Sequence, residues 1–128
     1  MPLVRITVGP ELGADKRAIG DAVHKALVDV AKAPADDQFQ IIEEAKPGAL
    51  IVTPSYLGVS HTGKVVFVQI FLNAGRATEV KAALYAAIGS GVAAAAGVRA
   101  EDVIINLVEV AREDWSFGGG VMSYPPQK

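Results

Sequence analysis

Residues Leu3 to Val8 alternate Leu, Arg and Thr with Val, Ile and Val. A period of two in β-branched residues predicts a strand with one face in the core. Pro10 to Ala14 reads as a turn, and Asp15 to about Lys32 as a helix. There Ile19, Val23, Leu27 and Val30 recur at spacings of four, four and three, which is one helical face. Asp21, Lys25 and Asp29 lie opposite. Asp21 precedes Lys25 by one turn, the favourable order for an ion pair. Pro34 stops the helix. Gln38 to Glu44 predicts a second strand, and Ala49 to Thr53 a short one between Pro47 and Pro54. Val65 to Leu72 is nearly all apolar and suits a strand buried on both faces. A second helix runs from Thr78, a suitable N-cap, to about Ala96, with Val80, Leu84, Ile88 and Val92 every four residues. Its polar surface is small, which points to a subunit contact. Val103 to Val110 predicts the last long strand.

These elements repeat one plan: strand, helix, acidic pair, strand. Asp36-Asp37 and Glu101-Asp102 occupy the same place in each half. The expected fold is α/β (α+β), with two fused β-α-β units. They give a four-stranded sheet carrying two helices on one face, with parallel pairs and right-handed crossovers. One domain is expected over 1–128, with pseudo-repeats 1–63 and 64–128.

Composition narrows the chemistry. Hydrophobic residues make up 51% of the 128 and charged ones 20%. So apolar a chain needs a generous core or a covering subunit. No apolar run is long enough for a membrane helix, and no basic-then-apolar leader opens the chain, so a cytoplasmic location is expected. The net charge of −2, without a Lys/Arg cluster, argues against nucleic acid. There is no cysteine, hence no disulfide and no thiolate nucleophile. His24 reads as a helix-boundary or surface residue and His61 as a loop residue. Neither has a second ligand at metal-binding spacing, and no glycine-rich loop joins a strand to a helix, so neither metal nor cofactor is expected.

Pro2 offers a different reagent. With Met1 removed, its ring nitrogen becomes a secondary amine, which can give or take a proton near neutrality. A strand directly behind it would hold that amine still. Arg76 sits where a strand ends and a helix begins. The helix dipole opposes a cation there, so local stability does not explain it, whereas carboxylate binding would. An exposed turn arginine paired with Glu79 is the other reading. Asp37 is either a second polar group of a site or a turn residue matched by Asp102. Trp115, near Phe117, is a packing residue or an apolar wall beside a reacting group.

Met1-Pro2-Leu3, Pro34-Ala35-Asp36-Asp37, Arg76 and Asp114-Trp115-Ser116-Phe117-Gly118 together resemble the tautomerase superfamily, over essentially the whole chain. The nearest branch is the malonate semialdehyde decarboxylase group. The resemblance implies a homotrimer acting on a small carboxylate, a 2-oxo or enol acid or a 3-oxo acid. It implies that Pro2 is acid or base, that Arg76 binds the carboxylate and that Asp37 orients substrate or water. Asn73, Trp115 and Phe117 would complete the pocket. Some decarboxylases of this branch carry two arginines at the strand end, one residue apart. Here the segment is Asn73-Ala74-Gly75-Arg76, with one. Tautomerisation of a small 2-oxo acid is therefore the leading expectation. Decarboxylation or hydration by a protonated proline is the second, and a trimeric binding protein with a vestigial site the third.

Overall fold

The computed structural model describes residues 2–124. Met1, whose removal would free the Pro2 nitrogen, lies outside the described residues, as do Pro125 and Pro126. The chain runs β1 (Leu3–Val8), α1 (Lys16–Asp29), β2 (Phe39–Glu44), β3 (Ser55–Tyr56), β4 (Val59–Ser60), β5 (Val66–Asn73), α2 (Thr78–Ala96) and β6 (Val103–Val110). Four strands form one sheet in the order β2-β1-β5-β6. Within each β-α-β unit the strands are parallel, and β1 meets β5 antiparallel.

Val4, Ile6 and Val8 of β1 and Val66, Val68, Ile70 and Leu72 of β5 point into one core. Ile19, Val23 and Leu27 of α1 and Leu84, Ile88 and Val92 of α2 close it from above. The other face of β5 is only half-covered, with Gln69 exposed. A fully buried strand was expected there. The central row of that face is polar: Gln69 bonds Asn106, and the neighbouring Arg5 bonds Glu43.

Local chemistry sets the helix ends. Asp15 caps α1 by accepting from the amides of Arg17 and Ala18. The helix ends at Asp29, short of Lys32, because Lys32 turns to φ 62° and the Ala33 amide returns to the Leu27 carbonyl. Asp21 pairs with Arg17, and Lys25 with Asp29, in place of the expected Asp21–Lys25 pair. Thr78 does not cap α2. Ala77 holds that position without a side-chain bond, and Thr78 is already helical. Ala49 to Thr53 forms no strand; the short hairpin β3–β4 follows it instead.

Candidate active site

Strand register brings the candidate residues to one end of the sheet. Leu3 pairs with Phe39 on one side and Phe71 on the other. One step outward, Pro2 therefore lies beside Gln38 and Leu72, between the start of β2 and the end of β5. Pro2 is buried. It opens a central strand, so both neighbouring strands hold it in place.

Asp37 lies just before β2 and is only 3% exposed. Its amide donates to the Pro34 carbonyl, 3.0 Å away, closing a turn after α1. Burial pushes its carboxyl above the usual range, and the negative charge of Asp36 adds to the rise. The charge of His24 pulls the other way without reversing the rise. Its counterpart Asp102 is equally buried but differently employed. Burial raises the Asp102 carboxyl, yet bonds from the Thr62 amide (2.7 Å) and hydroxyl (2.6 Å), with Arg99, outweigh that and hold it below the usual range. Asp102 fastens the loop at Thr62, while the Asp37 carboxyl stays above the usual range.

Arg76 is partly buried. Nε and Nη2 donate to the Ala31 carbonyl at 3.3 and 3.1 Å, and Nη1 to the Asn73 carbonyl at 3.1 Å. The expectation that local stability cannot explain this arginine is thus corrected. Its cation faces the carbonyl end of α1, where the helix dipole favours it, although it opposes the dipole of α2. It does not pair with Glu79. Three of its N–H groups are spent on backbone, and the remainder can take a carboxylate.

The tail closes the site. The Trp115 indole N–H donates to Asn73 Oδ1 at 2.7 Å. Phe117 stacks on Trp115 (5.1 Å between centroids, 11° apart) and leans on Phe39 at 5.1 Å. The Ser123 amide donates to the Trp115 carbonyl, and the Phe117 amide to the Ser123 hydroxyl. The chain from Phe117 to Ser123 thus forms a closed turn. Gly118, Gly119 and Gly120 all take positive φ there. Pro34, Asp36, Asp37, Phe39, Phe117, Ser123 and Tyr124 line a cleft of about 400 Å³. Burial and the Asp37 charge push the Tyr124 phenol up, and Arg112 lies 4.6 Å over its ring.

Every residue chosen from the sequence therefore reaches this end of the sheet: Pro2, Asp37, Asn73, Arg76, Trp115 and Phe117. Two others were not chosen. Tyr124 could have been found from the cluster of aromatics in the tail. His24 bonds the Ala35 carbonyl at 2.8 Å, a contact for which the helix pattern gave no cue. Among the described residues no group of three or more His, Asp or Glu is placed to hold a metal. Among the same residues no helix is long and apolar enough to cross a membrane.

A family model described as tautomerase enzyme matches residues 37–118, and a second with the same description matches residues 2–60. The chain is 38% identical, over 77% of its length and 77% of the relative's, to the probable tautomerase YusQ of Bacillus subtilis (strain 168). Its fold is similar to that of a malonate semialdehyde decarboxylase inhibited by 3-bromopropiolate, with 40% identity and a TM-score of 0.84, covering 95% of this chain and 93% of that one. A fused 4-OT symmetric trimer matches at 27% identity and TM-score 0.77, over 94% and 95% of the two chains.

Proposed function

The chain belongs to the tautomerase family, and from that premise we propose that it isomerises small 2-oxo acids between enol and keto forms with Pro2 as general base and acid. One observation carries this reading: Pro2 is buried at the start of a central strand, between Asp37 and the β5 end that Arg76 grips.

In the free-base form the Pro2 nitrogen takes the enol hydroxyl proton. The oxygen electron pair becomes the new carbonyl, the double-bond pair moves to carbon, and the prolinium returns its proton there. Nothing is gained or lost overall, so no cofactor is required. The unspent N–H groups of Arg76 hold the carboxylate and fix the reacting carbon. Trp115 and Phe117 supply an apolar wall, against which a charged amine is disfavoured and the base stays neutral. Asp37 opposes that shift and orients the substrate or a water.

The 40% identity to a malonate semialdehyde decarboxylase favours a second reading. In it a protonated Pro2 polarises a 3-oxo group while the carboxylate leaves as carbon dioxide. The single arginine at the strand end weighs against it.

The working form in this proposal is a homotrimer, as in the fused 4-OT neighbour. The open sheet face supports it. Phe39 and Ile41 remain about 40% exposed on β2, and Tyr56, Val59, Phe67 and Ile104 line an apolar cleft against β5 and β6. A location in the cytoplasm is proposed with it, as is a single domain over the full chain.

The test is ultraviolet absorbance of phenylenolpyruvate. The wild-type protein accelerates its ketonisation, and Pro2→Ala loses about 10²-fold or more. Buffer-rate conversion by both would overturn the reading. Malonate semialdehyde, assayed for acetaldehyde, separates the second reading from the first.

A further inference from the structure

The loop that delivers Asp37 to the site runs from the end of α1 to the start of β2, residues 30–38. It is tied down at three carbonyls. Arg76 holds Ala31, the Asp37 amide holds Pro34, and His24 holds Ala35. The His24 contact is the one supplied by a side chain from the loop's own helix. A carbonyl only accepts, so Nε2 of His24 carries the hydrogen of that 2.8 Å bond. Ala35 stands two residues before Asp37, within the turn closed by the Pro34 carbonyl. A rotation of the Ala35 peptide therefore moves the backbone on which the Asp37 carboxyl is mounted.

We infer that His24 is a positioning residue: its Nε2–H grips the Ala35 carbonyl and sets where Asp37 meets the substrate. The inference deepens the reading above and rests on it for the activity arm. His24 touches neither the reacting atoms nor the aromatic wall, so its part is geometric. Asp37 is buried and its backbone is mounted on this loop, so what fixes the loop also fixes where the carboxyl sits. The charged groups that feel His24 are Asp21 on α1 and Asp37 itself, both carboxylates. Both neutral and protonated rings can donate through Nε2.

Two substitutions separate position from bulk. Leucine at 24 keeps volume and helix but has no donor. Glutamine keeps a donor of comparable reach. In the full-length protein, His24→Leu lowers kcat on phenylenolpyruvate about 10- to 100-fold with little change in KM, because a misplaced group costs rate more than binding. His24→Gln restores at least half of the logarithmic loss. Amide hydrogen exchange gives a readout without activity. In His24→Leu the Asp37 amide exchanges about fivefold faster while amides in α2 are unchanged, and His24→Gln restores it. Wild-type kcat in His24→Leu, or equal losses in the leucine and glutamine variants, would overturn the inference. So would unchanged exchange at Asp37. Asp37→Asn, assayed alongside, keeps the two questions apart. If Asp37→Asn retains full activity, the catalytic reading of Asp37 fails, and the exchange result alone decides whether His24 governs the loop.

Discussion

The guanidinium of Arg76 donates through both Nε and Nη2 to the carbonyl oxygen of Ala31. The bond crosses from the second β-α-β unit to the start of the loop that follows the first helix. One side chain thus joins the strand end beside Pro2 to the loop that carries Asp37. The residue that would bind the substrate is also part of the frame.

That double role predicts a double defect. Arg76→Ala strands the Ala31 carbonyl and costs about 1.5–3 kcal/mol of stability, the range for bonds to a charged donor. Arg76→Lys recovers part of the stability, because an ammonium can reach one carbonyl but cannot span two with a planar fork. Urea unfolding measures the first effect. A raised KM for 2-oxo acids, in both variants, measures the second.

Asp37 and Asp102 predict opposite responses to pH. The Asp37 carboxyl is raised in the folded state, so the native protein binds its proton more tightly than the unfolded chain does. Its cost is absent well below the ordinary carboxylate range and grows as pH rises through the folded value. Asp37→Asn therefore raises Tm at neutral pH and leaves it nearly unchanged at pH about 3. Thermal melts across pH check the divergence.

The Asp102 carboxyl is lowered, so its stabilisation is present above the unfolded value and is lost as pH falls through the folded one. Asp102→Asn loses about 2 kcal/mol at neutral pH, because Thr62 loses its charged acceptor. It also flattens the acid limb of the wild-type stability curve. Urea midpoints at several pH values measure both effects.

Trp115→Phe keeps an aromatic ring against Phe117 but removes the donor to Asn73. The expected result is a modest stability loss of about 1 kcal/mol and a larger fall in kcat/KM as the tail loosens over the cleft. Parallel melts and phenylenolpyruvate assays separate the two.

The sheet and helices were legible because β1 and α1 carry the right period, β5 is a nearly unbroken apolar run, and Pro10 and Pro34 punctuate the chain abruptly. The candidate site residues came from a different ground: Pro2, Asp37 and Arg76 match a family pattern, and strand register places them at one end of the sheet. What pattern could not supply was partnership across the chain. Arg76 looked ill-placed because the sequence shows the helix it begins, not the helix end it faces. His24 lay beside an ordinary apolar stripe, and its carbonyl partner is fixed by where the loop lands after Pro34. The pairing of Asp21 was misjudged on similar grounds, since Arg17 and Gln38 both bond its carboxylate and Lys25 turns to Asp29.

The central claim is that the Pro2 nitrogen is a free, neutral base in the working enzyme. Proline labelled with nitrogen-15 allows that one atom to be titrated by NMR. The predicted result is a single protonation step at Pro2 whose midpoint coincides with the rising limb of kcat/KM against pH. A Pro2 nitrogen that does not titrate, or one whose midpoint bears no relation to the activity profile, would contradict the account.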